Sequence, residues 1–129
     1  SCRYLAGDLQ GTEEAAIKAR IRAQQWGFYF NRVLANAYLM RLRAARGDTV
    51  NAIASLRADL AEAESKKAKE LTFEVALVLG EVELRARHPE GRTRLVKLEQ
   101  DAKSVEFFRI ARLAREALDG KPAAATTVK

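Results

Sequence analysis

The chain has 129 residues and a formal net charge of +6, with 48% hydrophobic and 31% charged residues. That length suits one modest core, and the balance excludes a chain disordered throughout. No run approaches the roughly 18 apolar residues of a membrane span. The first residues, Ser1-Cys2-Arg3-Tyr4, do not read as a secretory leader. Without Met at its head, the chain reads as an excised or processed piece. Cys2 is the sole cysteine, so an internal disulfide is excluded and a reducing, cytoplasmic setting is expected.

Six helices are expected, because Ala, Leu, Arg, Glu and Lys dominate and prolines are confined to Pro89 and Pro122. The first is expected over 13–25, capped by Thr12 with Glu13 and Glu14 in its opening turn. Gly27 is expected to break the chain before a second helix over 28–46, which Gly47 ends. The third, over 49–66 behind Asp48, carries Ile53, Leu56, Leu60 and Ala63 as one stripe.

The fourth, over 70–87, is expected to be the most buried, since Leu71, Val75, Val78 and Val82 line one face and Phe73, Ala76, Leu77 and Leu84 the others. His88-Pro89 closes it, and Pro89 suits the first turn of a fifth helix reaching residue 104. The sixth, over 105–118, aligns Phe108, Ala111, Ala114 and Leu118. Residues 120–129 read as a loose tail with nothing to bury.

The pattern recurs. Leu5-Ala6-Gly7-Asp8 is matched by Ala45-Arg46-Gly47-Asp48 forty residues later, and Ala23, Ala63 and Ala102 are spaced by forty and thirty-nine. A fixed period of this size implies stacked helical hairpins sharing one core. On this reading residues 1–119 form about three hairpins, preceded by the end of a truncated helix at 3–8. The chain would then continue a longer array, with its true C-terminus in the tail.

Leu98-Glu99-Gln100-Asp101-Ala102 running into Phe107-Phe108-Arg109-Ile110-Ala111-Arg112, with the Gly47-Asp48 and Trp26-Gly27-Phe28 junctions, resembles the tetratricopeptide-like repeat superfamily. The likeness is to bacterial variants of about forty residues that end large signalling proteins, such as receptor-like kinases and regulators of the maltose-activator type. It implies an all-α, short right-handed α-solenoid that contacts a protein or peptide segment. No residue-specific binding role carries over from it.

Catalytic and cofactor chemistry has little to stand on. His88 is the sole histidine, placed in a turn, and one His with one Cys cannot build a zinc site. Glu74 and Glu81 share a helix face without the Glu-x-x-His unit of a carboxylate metal centre, so they read as hairpin-bridging or solvated. The glycines form no phosphate loop. No metal, no cofactor and no enzymatic activity are expected.

Arg109, Arg112 and Arg115, with Arg92, Arg94 and Lys97, raise nucleic-acid binding as a rival. The bases are interleaved with acids at i,i+4 (Glu14 with Lys18, Glu62 with Lys66, Glu83 with Arg87, Glu99 with Lys103), which argues for helix-surface pairing instead. Trp26, Phe28, Tyr29 and Phe30 spread around a helix and cannot all face one core. Trp26, Tyr29 and Phe107 are therefore the candidate partner-binding residues. Self-association into a homodimer through the first repeat is the second functional reading.

Overall fold

The computed structural model describes the backbone of residues 2–121 and the side chains of residues 11–121. Among the described residues it is all-α, with five helices: α1 Cys2–Ala45, α2 Thr49–Ser65, α3 Lys69–Arg85, α4 Pro89–Ser104 and α5 Phe108–Leu118. The chain divides into two compact units, one up to Arg32 and one from Val33 onward. The expected tail residues 122–129 lie outside the described residues.

Five helices replace the expected six, because α1 runs unbroken through both anticipated junctions. Gly7-Asp8, Thr12 and Gly27 are all helical, so Thr12 lies inside a helix rather than at its start, and residues 3–8 do not close a separate helix. Glycine in a helix costs only about 1 kcal/mol relative to alanine. It ends a helix where its φ turns positive, as at Gly47 (φ 104°) and Gly120 (φ 81°). A Cβ added at Gly27 would meet nothing within 4 Å, so no close approach accounts for glycine there.

Each of the first four helices ends in the same way. In α2 the backbone N–H of Lys67 donates to Glu64 O and that of Ala68 to Ala63 O, both at 3.0 Å. The pair of bonds recurs at Arg87 and His88, at Glu106 and Phe107, and at Gly47 and Asp48. These are the two bonds that satisfy the last carbonyls of a helix behind a left-handed residue. Three of those residues are not glycine: Lys67, Arg87 and Glu106 have φ of 56°, 64° and 63°. The residue after each one caps the next helix, so the linkers are tight and neighbouring helices run antiparallel. Asp48 stands at the expected cap of α2, but its side chain makes no capping hydrogen bond.

In the second unit α3 packs on α2, α4 and α5, and its residues 73 to 83 are all buried. It is the centre of the core, as its all-round apolar pattern predicts. Leu71, Val75, Val78 and Leu79 are among the largest fully buried side chains, with Leu56 of α2 and Leu95 of α4. Each such side chain contributes about 1.5–3 kcal/mol by leaving water. Gly80 and Gly91 bring α3 and α4 close together. A Cβ at Gly80 would lie 2.7 Å from the Leu95 side chain, and one at Gly91 would lie 2.9 Å from the Glu83 backbone carbonyl carbon. Pro89 occupies the first turn of α4, where its missing N–H leaves no helix bond unmade. Val105 to Phe107 form the turn before α5 rather than the opening of a helix.

Candidate interaction surface

Helices α2 and α4 form two walls of a groove of about 520 Å³ floored by α3. The apolar lining comes from Leu60 on α2, Phe73 and Ala76 on α3, and Leu98 on α4. Polar groups stand around it: Glu64, Thr72, Thr93, Lys97 and Asp101. An apolar floor rimmed by scattered polar groups suits an extended segment carrying one or two apolar side chains. It offers no cluster of reacting groups.

Four buried glutamates hold this frame together. Glu83 of α3 is fully buried and accepts from Arg94 Nε at 2.7 Å and from Arg57 Nη2 at 3.1 Å, tying α3 to both walls. Glu74 accepts from Arg109 Nη1 at 2.6 Å, which binds α3 to α5. Arg115 forks onto Glu99 at 2.6 and 3.1 Å, linking α5 to α4. The Arg115 hydrogen bonds hold the Glu99 carboxyl below its ordinary range. Glu81 accepts from Arg41 Nη2 at 3.1 Å. Burial pushes its carboxyl up, against the lowering effect of Arg41.

Glu74 and Glu81 therefore bridge helices rather than lying solvated. The arginines at 109, 112 and 115 are each engaged with a carboxylate, Arg112 with Glu116 at 3.2 Å. Glu99 also meets Lys103 at 3.4 Å, the expected i,i+4 pair. Glu83 pairs with neighbouring helices rather than with Arg87 along its own, because its side chain points into the core.

The three candidate aromatics fall in different settings. Trp26 and Tyr29 lie in the first unit with ring centroids 5.5 Å apart, and the Arg32 guanidinium sits 5.5 Å above the Tyr29 ring. Trp26 is 42% exposed and Tyr29 half-buried. Phe107, in the second unit, packs edge-on against Phe73 at 5.5 Å and 88°. Phe107 is half-buried, and its ring supports Phe73 of the groove floor. Phe28, outside the candidate set, is the most exposed aromatic among the described side chains of the first unit, at 76%. His88 is exposed in the turn before α4, its Nδ1 3.7 Å from Glu90. Among the described residues no group of His, Cys, Asp and Glu is placed to hold a metal ion, and no helix is long and apolar enough to cross a membrane.

No family model matches the sequence, and neither the curated proteins nor the solved structures include a match.

Proposed function

We propose that this chain is a non-catalytic helical-repeat scaffold whose groove between α2 and α4 holds an extended segment of a partner protein. The helix pairs would stack as a short right-handed solenoid of the tetratricopeptide-like kind, belonging to a bacterial signalling or regulatory protein. The observation that carries this reading is the apolar floor of Leu60, Phe73, Ala76 and Leu98, open between two helix walls. Supporting it, left-handed turn residues recur at 47, 67, 87 and 106, a step of twenty or nineteen residues. On this reading α2, α3 and α4 are each one unit of a repeating series.

Carboxylates already engage Arg94, Arg109, Arg112 and Arg115, which favours a protein partner over phosphate contacts. A random peptide library panned against the chain tests the proposal, with selected peptides mapped by amide chemical shifts. Peptides that shift Thr72, Thr93 and Lys97 and are lost on Thr93→Arg are expected. An absence of selected peptides, or shifts away from the groove, would sink it.

A further inference from the structure

The arginines of the second unit fall into two sets. Arg41, Arg57, Arg94, Arg109, Arg112 and Arg115 each meet a glutamate. Arg43, Arg46, Arg85, Arg87 and Arg92 are exposed, and among the described residues none of them has a carboxylate within the 4.0 Å of an ion pair. The second set is not scattered. Antiparallel packing carries the turns at 47 and 87 to one end of the unit and those at 67 and 106 to the other. All five unpaired arginines lie within five residues of the first two turns. A cavity of about 110 Å³ lined by Ala44, Ala45, Thr49, Arg85 and Ala86 joins those turns directly.

Little acid opposes them. Buried Glu81 neighbours Arg85, but Arg41 already bonds that carboxylate at 3.1 Å. Glu90 meets Arg57 at 3.4 Å and His88 at 3.7 Å, which leaves Asp48. The opposite end differs, for there Lys66, Lys67 and Lys69 stand among Glu62, Glu64 and Glu70, charge for charge. The positive charge of this unit is therefore gathered on one edge, and as arginine, whose planar fork holds an oxyanion by paired hydrogen bonds.

We infer that this edge docks an extended, acidic segment of a partner protein, its carboxylates on Arg46, Arg85 and Arg87 and an aliphatic side chain on Val50. Packed helices lie about 8–10 Å apart, so the edge from Arg46 to Arg92 spans about 20 Å, the reach of about six extended residues. Two features favour a polypeptide over a phosphate chain. Asp48 stands amid the arginines and its side chain makes no capping hydrogen bond. It repels phosphate, yet it can accept from a peptide N–H. Val50 is 81% exposed and offers an aliphatic contact, whereas no Phe, Tyr or Trp lies between Arg43 and Asn51 or between Arg85 and Arg92 to stack a base.

A labelled heptapeptide of glutamates around one central valine, titrated onto the whole chain at physiological salt, tests the inference. Fluorescence anisotropy is expected to show saturable binding. Amide shifts at Gly47, Thr49 and His88 are expected to place it on this edge of the unaltered protein, so the result does not depend on a variant folding. Arg46→Glu with Arg85→Glu is expected to weaken binding about tenfold or more, with helical circular dichroism unchanged. Arg112→Glu, on α5, and Thr93→Arg, in the groove, are expected to leave it intact. The same peptide with glutamine in place of glutamate is expected not to bind. No saturable binding, shifts confined to other surfaces, or equal binding of the glutamine peptide would overturn the inference. A short DNA duplex, or vesicles of phosphatidylserine, held more tightly than the peptide through the same arginines would overturn the choice of a protein partner.

Discussion

Glu83, on α3, and Arg94, on α4, form a buried ion pair at 2.7 Å, with the carboxylate wholly out of water. Arg57 completes the arrangement from α2 at 3.1 Å, so one carboxylate joins the floor of the groove to both of its walls. A charge in that position is tolerable only while its partners remain.

Arg94→Ala is accordingly expected to cost about 2–4 kcal/mol, because it strips the shorter bond from a carboxylate that solvent does not reach. Arg112→Ala breaks a pair exposed on the protein surface and is expected to cost less than about 0.5 kcal/mol. Urea unfolding of both variants checks the contrast. Equal losses would show that the burial of Glu83 contributes nothing special.

Lys67 and Arg87 adopt left-handed backbone at φ of 56° and 64°, a conformation that strains a residue bearing a Cβ by about 1 kcal/mol or more. Lys67→Gly and Arg87→Gly are therefore expected to stabilise the fold by about 0.5–1 kcal/mol each, after glycine's greater freedom in the unfolded chain is subtracted. Gly47→Ala, where φ is 104°, is expected to act in the opposite direction. Thermal unfolding of the three variants reads the signs.

Glu81 has a folded-state carboxyl raised above its ordinary range by burial. The sign follows from linkage: its contribution is fully present below the unfolded value and is lost as pH rises through the folded one. Glu81→Gln removes that loss while keeping a hydrogen-bond acceptor for Arg41. The difference in unfolding free energy between pH 7 and pH 4.5 is expected to be more positive in the variant than in the parent. Parallel pH profiles by urea titration would refute this. Glu99, lowered by Arg115, acts with the opposite sign: its contribution fades as pH falls through its folded value.

Much of the second unit was legible in the order of its residues. The stripe of Ile53, Leu56, Leu60 and Ala63 is buried in α2, and the all-round apolar pattern of α3 makes it the core helix. Pro89 stands in the first turn of α4. These features are readable because helical period and proline geometry are local properties. The groove was not legible, since its walls come from α2 and α4 and its floor from α3. Phe107, a candidate partner-binding residue in sequence, is half-buried against Phe73, thirty-four residues earlier in the chain, a contact that no local pattern announces.

The sequence by itself determined that the chain is helical and which faces of α2 and α3 are apolar. Backbone propensity and side-chain spacing decide those matters within a few turns of helix. Tertiary structure alone decided that Gly27 remains helical while Lys67, Arg87 and Glu106 turn left-handed without glycine. It also directed Glu83 to Arg57 and Arg94. The reason is energetic: burying the α3 face against α2, α4 and α5 outweighs about 1 kcal/mol of strain at each turn. Gly27 lies where no such packing demands a turn, so its local cost is simply absorbed into α1.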